Sequence, residues 1–189
     1  MFTSVRHSHG MTATALDVRD DPQAMFRRHQ LRFVALGGHD RARLTRLVEA
    51  CSVESQYLRF HRATGRVTVS LAKELADLDG QTTHGMGLAD ANGELVAEAR
   101  IRTHGDGSGE FALLVRDDHH GLGLGTGLIG VLVRHAQLLG LQTLHARVLA
   151  CNKTMLGVLA RAVPMTVGPV RGGMIRVTIP IAHSGHTTC

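Results

Sequence analysis

The chain has 189 residues, 43% of them apolar and 20% charged, which is one ordinary domain with enough apolar material to bury its own core. Aromatics are only 3%, with no Trp and a single Tyr, Tyr57, which argues against a stacking platform for single-stranded nucleic acid. The formal charge of +5 is unevenly placed: residues 1–118 hold all sixteen acids against fifteen Lys or Arg, while residues 119–189 hold no acid and six cations, Arg134, Arg147, Lys153, Arg161, Arg171 and Arg176. That last stretch offers an anionic partner a field of one sign, and supplies no carboxylate as a hard-metal ligand or catalytic base.

Residues 1–30 mix His, Ser, Thr, Asp and Arg without a sustained period and are expected to be loosely ordered. Residues 31–36 read as a first strand, stopped by Gly37-Gly38. Asp40 is placed to cap a helix to about residue 50, in which Leu44, Leu47 and Val48 fall at i, i+3 and i+4. A second short helix over 53–60 sets Val53, Tyr57 and Phe60 on one side, and 69–78 is a further helical piece. Residues 83–89 and 95–103 are strands around Asp90-Ala91-Asn92-Gly93, whose chemistry is that of a hairpin turn. Residues 105–109 form a second turn and 111–115 an apolar strand. The helix over 125–139 carries one stripe of Leu128, Val131, Leu132, His135 and Leu139. A strand at 144–149, a helix at 152–162 and closing strands at 165–167 and 174–181 complete the domain, and the tail after Ala182 is expected to fray.

Between an apolar strand and an amphipathic helix stands His119-His120-Gly121-Leu122-Gly123-Leu124-Gly125-Thr126-Gly127. Alternating glycines let successive backbone N–H groups converge, and the helix N-terminus adds partial positive charge. Together they make a pyrophosphate cradle that needs no cationic side chain. The P-loop pattern does not occur. The stretch from Gly125 to Gly130 matches G-x-G-x-x-G, but a dinucleotide fold needs those glycines tight against the strand end and an acid about 20 residues on. Here 116–124 intervene and no acid follows.

The run from Val115 through His120-Gly121-Leu122-Gly123-Leu124-Gly125-Thr126 resembles the acetyl-CoA loop of the GCN5-related N-acetyltransferases, whose pattern is Q/R-x-x-G-x-G/A after the fourth strand. The order strand, loop, helix, strand, Asn, helix and two closing strands is similar to that family from about 31 to 181. Within it, Ser55 to Phe60, Glu110 to Val115, and Ala146 to Leu149 with Asn152 and Met155 resemble the catalytic domain of the mycobacterial-type, cyclic-AMP-regulated protein lysine acetyltransferases. The resemblance implies an α/β (α+β) fold: a mixed, mostly antiparallel twisted sheet of six to seven strands flanked by about four helices and splayed around acetyl-CoA. The domain would span 31–182, with flexible segments at 1–30 and 183–189. It implies that Leu113, Leu114 and Val115 run beside the pantetheine amides, that the amides of His120, Gly121, Leu122, Gly123, Leu124, Gly125 and Thr126 hold the pyrophosphate, and that Asn152 contacts the pantetheine arm. Asn152 reads equally as an N-cap.

Acetyl transfer to an amine needs a thioester, a deprotonated amine and donors for the developing oxyanion. The backbone supplies donors; the base is a carboxylate or His within reach. The resemblance puts the base at Glu110, at the opening of the fourth strand. The general-acid Tyr that the family often places seven residues after the Asn is Leu159 here, His120 replaces Gln or Arg, and Leu122 replaces a cation near the phosphates. The implied partners are acetyl-CoA and an amine acceptor, either a protein lysine or a small amine such as a polyamine or aminoglycoside. A non-catalytic CoA-binding module is the reading from another class.

No cyclic-nucleotide domain fits into 1–30, so such regulation would need another chain. No apolar run suits a membrane span, the first 19 residues lack a secretory h-region, and Cys51, Cys151 and Cys189 form no disulfide or metal framework, which points to a cytoplasmic chain. The His residues are scattered and no metal is expected, nor is nucleic acid, since there is no basic helix or exposed aromatic set. His135 reads as a satisfied core histidine and Cys151 as a small buried residue. Tyr57 reads as packing and Arg59 as a surface ion pair, though both belong to the helices that cover the acceptor side in the family. Oligomeric state is not legible.

Overall fold

In a computed structural model, residues 22–62 and 65–183 are described. They form seven strands and six α-helices in the order α1 (Pro22–Arg28), β1 (Arg32–Leu36), α2 (Arg41–Glu49), α3 (Val53–Phe60), α4 (Val69–Leu75), β2 (Thr83–Ala89), β3 (Leu95–Thr103), β4 (Ser108–Val115), α5 (Leu124–Leu138), β5 (Thr143–Leu149), α6 (Lys153–Ala162), β6 (Thr166–Val167) and β7 (Met174–Pro180). One sheet runs β1-β2-β3-β4-β5-β7-β6. Every neighbouring pair is antiparallel except β4 and β5.

The hairpin between β2 and β3 forms as its residues dictate. Asp90 Oδ1 accepts from the Asn92 and Glu94 amides at 2.9 and 3.0 Å, and Gly93 takes the left-handed backbone at φ 83°. Both faces of the sheet are covered. One core joins Met86, Ile101 and Leu144 to Leu128 and Leu132 of α5 and to Leu159 of α6. The other joins Leu44 and Leu47 of α2 and Leu71 and Leu75 of α4 to Leu95 and Leu114. Alternation along β4 therefore sends Phe111 and Val115 toward α5, and Leu114 toward the α2–α4 side.

Several expectations change. Residues 22–28, expected to be loose, form α1; its Phe26 is buried against α5, where a Cβ on Gly127 would lie 2.9 Å from the Phe26 ring. Residues 1–21 and 184–189 lie outside the described residues. Asp40 precedes α2, but its carboxylate accepts from the Gly37 amide and from Arg43 rather than from the helix's own amides. In α3 the side turned inward carries Gln56, whose Nε2 donates to the Val48 and Cys51 carbonyls, while Val53 and Tyr57 are exposed. Satisfying the frayed end of α2 outweighs burying those apolar side chains. Helix α4 stops at Leu75, and β4 begins at Ser108, so Glu110 sits inside a strand rather than at its opening.

Candidate active site

β4 and β5 pair only at Ser108–Thr143, Gly109–Leu144 and Glu110–His145. Beyond Glu110 they part. Each stays fixed on its outer side, β4 to β3 as far as Val115–Ala97 and β5 to β7 as far as Leu149–Met174. A V-shaped gap opens between two rigid strands, and the backbone groups of Phe111–Val115 that would have met β5 face it. An unpaired strand edge in a cavity suits a ligand with amides of its own.

The apex of the gap meets the glycine loop. Arg116 pairs with Asp118 at 2.7 Å, and His120 Nε2 lies 2.9 Å from the Val115 carbonyl, which fixes the strand exit. Gly121 and Gly123 take φ of 79° and 78° with open space where a Cβ would stand, a backbone that L side chains rarely adopt. α5 then starts with Gly123 as its N-cap and no side-chain capping bond, so its first amides point out unsatisfied. On the opposite wall, Asn152 caps α6, its Oδ1 accepting from the Met155 amide at 2.9 Å, which leaves the side-chain NH2 for a ligand.

These parts line one cavity of about 680 Å³, the scale of a ligand site. Leu113, Leu114, Val115, His120, Gly121, Gly123, Leu124, Gly125, Thr126 and Asn152 line it; Leu122 does not, its side chain standing 38% exposed. Arg161 lines it too, folded back along α6 so that its Nη1 lies within 3.3 Å of where a Gly157 Cβ would stand. A cation thus reaches the cavity despite Leu122. The loop amides, uncapped helix and unpaired strand edge fit a phosphate-bearing ligand with an amide-containing arm.

Glu110 is not among the lining residues. It stands at the rim, 3.3 Å from Arg147 Nε, and Arg147 and His61 line the cavity. His61 ends α3 in the left-handed conformation, φ 56°. Burial, and then Arg147 and Arg59, hold its pKa below 6.5 against the pull of Glu110, so the imidazole is neutral at pH 7. Leu159, where the family often has its Tyr, is fully buried in the core.

Two polar networks tie α3 to the site. Asp117, just before the loop, accepts from the Ser52 amide at 2.8 Å and from both the Ser52 and Ser55 hydroxyls at 2.7 Å. Burial opposes its ionisation, but these bonds outweigh burial and hold its pKa below 3.8. Arg59, expected to form a surface pair, instead donates through Nε and Nη2 to Glu98 Oε1 at 3.1 and 2.9 Å, and Arg100 Nε donates to Oε2 at 3.0 Å. Glu98 is 1% exposed, and each arginine side chain 13%. Burial pushes the Glu98 pKa up; Arg100 and Arg59 overcome this and keep it below 4.5. Sequence reasoning missed Glu98, Asp117 and His61: Glu98 meets Arg59 across 39 positions and Asp117 meets Ser52 and Ser55 across 65 and 62, which no local spacing signals.

Two further readings are corrected. Cys151 is exposed rather than buried. His135 is not satisfied: its Nε2 is buried without a partner, and its ring meets His84 edge-on with centroids 5.0 Å apart. Among the described residues, no group of three or more His, Cys, Asp or Glu is placed to hold a metal ion, and no helix is long and apolar enough to cross a membrane.

The sequence model of the acetyltransferase (GNAT) family matches residues 48–162, from the end of α2 to the end of α6. The chain belongs to that family. Its members are acyl-CoA-dependent N-acetyltransferases, with acetyl-CoA as co-substrate. The acetyltransferase Pat of Mycolicibacterium smegmatis is 37% identical over 73 residues, a match covering 38% of this chain and 22% of that one. The solved GNAT domain of S. lividans PAT superposes with a TM-score of 0.73 at 26% identity, covering 79% of this chain and 90% of that one. A cAMP-binding acyltransferase from Mycobacterium smegmatis superposes at 0.55 with 24% identity, covering 80% of this chain and 44% of that one.

Proposed function

We propose that this GNAT domain transfers the acetyl group of acetyl-CoA to a primary amine, with a protein lysine as acceptor and Glu110 as general base. The observation that carries the reading is the junction of the unpaired Phe111–Val115 edge with the uncapped start of α5 in one cavity. Acetyl-CoA supplies an activated acyl group on a good leaving thiolate. The loop amides from Gly121 to Thr126 and Arg161 hold its phosphates. The β4 edge and the free amide of Asn152 hold its arm. Glu110, on the strand face turned toward α3, takes the proton released as the amine attacks the carbonyl carbon. The C–S bond then breaks and the thiolate leaves without a tyrosine acid, since Leu159 is sealed in the core. The acceptor assignment is supported by the likeness to Pat over 73 residues.

The test is Glu110→Gln, assayed by CoA release with lysine peptides and by calorimetric titration with acetyl-CoA. Loss of a general base costs about 10²–10⁴-fold in kcat, with acetyl-CoA affinity retained. Turnover at the parent rate would remove Glu110 from the role. Leu122 and Leu159 favour a second reading, a CoA-binding module without turnover, which predicts acetyl-CoA binding and no acetylation of any amine.

A further inference from the structure

The wall of the cavity facing α3 carries three arginines, Arg59, Arg100 and Arg147, against two acids, Glu98 and Glu110. Alternation puts Glu98 and Arg100 of β3, Glu110 of β4, and His145 and Arg147 of β5 on that side of the sheet, beneath Arg59 and His61 of α3. Glu98 is shared by two arginines. Arg100 spends its remaining nitrogens on the Glu74 and Leu75 carbonyls, away from the cavity. Arg59 lines the cavity and commits Nε and Nη2 to a single carboxylate oxygen. Its Nη1 has no partner among the described residues and is not sealed in protein. Arg147 gives its Nε to Glu110, at 3.3 Å the longest of the described ion pairs, and its two terminal nitrogens have no hydrogen-bond partner among the described residues. The two acids that line the cavity itself, Glu54 and Asp117, do not offset this. Asp117 is held by Ser52 and Ser55, and Glu54 stands in the first turn of α3, about 10 Å along the helix from His61. His61 and His145 are both disfavoured as imidazolium, first by burial, so they add no charge near pH 7.

Resting on the transferase reading, we infer that the acceptor is an amine carrying a carboxylate close by, recognised by the open edges of Arg59 and Arg147, and not a polyamine. The Arg59 guanidinium, 13% exposed over an acid already shared with Arg100, is costly until a second anion arrives. A planar carboxylate answers the guanidinium fork, whereas a neighbouring cation meets like charge. Such a carboxylate has two sources: an acidic side chain flanking a lysine, or the terminal carboxylate of a free amino acid.

The experiment compares short lysine peptides flanked by Asp, Ala or Arg, together with Nα-acetyl-lysine and spermidine. Each is measured for acetylation rate and for calorimetric binding to the CoA-loaded chain. The Asp-flanked peptide should exceed the Arg-flanked one by at least about tenfold in kcat/KM and in affinity, the worth of one charge-assisted hydrogen bond, with spermidine weakest. Nα-acetyl-lysine matching the Asp-flanked peptide assigns the carboxylate to a free amino acid. In Arg147→Gln, whose parent side chain is 68% exposed so that the fold is not at stake, the Asp-to-Arg ratio should fall severalfold; Arg59→Gln should lower it further. Equal binding of the two peptides, a preference for Arg flanks or spermidine, or an unchanged ratio in Arg147→Gln overturns the inference. Charge-ordered binding without acetylation sustains it and overturns the transferase reading instead.

Discussion

Glu98→Gln is the sharpest test of the packing behind the site. The carboxylate accepts three charge-assisted bonds at 3.1, 2.9 and 3.0 Å and balances two guanidinium groups that are only 13% exposed. The amide leaves Arg59 and Arg100 facing each other without an anion. Breaking a buried ion pair in this way costs roughly 3–5 kcal/mol, or roughly 6–20 °C in Tm for a chain of this length. Arg59→Gln removes two of the bonds but leaves Glu98 with Arg100, and should cost less, about 1.5–3 kcal/mol. Urea denaturation read at unchanged m-value gives both differences. A Glu98→Gln loss under about 1 kcal/mol, or a larger loss in Arg59→Gln, would refute the claim that one acid anchors both arginines.

Two further outcomes follow from individual side chains. Asn152→Ala should lose about 1 kcal/mol through the Met155 cap and also bind acetyl-CoA more weakly, whereas Asn152→Ser should restore the stability but not the affinity; full recovery of both would reduce Asn152 to a cap. His135 has its pKa held below 6.5 by burial and then by His84, so the unfolded chain takes up protons before the folded one. Its share of stability is whole above about pH 6.5 and lost as the pH falls below it. Tm should therefore decline less steeply from about pH 6.5 to 5 in His135→Leu than in the parent; equal slopes would contradict the assignment.

Local chemistry made much of this fold legible. The Asp90–Gly93 turn set β2 and β3 to the residue, and the alternating glycines set the loop and the start of α5. What escaped were features made by distant partners. α1 exists because Phe26 finds a surface at Gly127, a hundred residues on. Gln56 faces inward because its amide reaches the Val48 and Cys51 carbonyls at the end of α2, which no stripe of apolar residues announces. Glu98 looks like an ordinary outward strand residue until Arg59 and Arg100 reach it. Glu110 was reached through a resemblance rather than through spacing, and the structure puts it at the rim beside Arg147 rather than in the lining.

The most direct test of the whole account is calorimetric titration of the chain with acetyl-CoA, alongside Gly123→Ala. The cradle predicts saturable binding at one site per chain, weakened in the variant because alanine costs about 1–2 kcal/mol in the left-handed conformation that Gly123 holds at φ 78°. Absence of binding to the parent chain, or equal affinity in both proteins, would contradict the claim that the Gly121–Thr126 loop and the splayed β4 edge form an acetyl-CoA site.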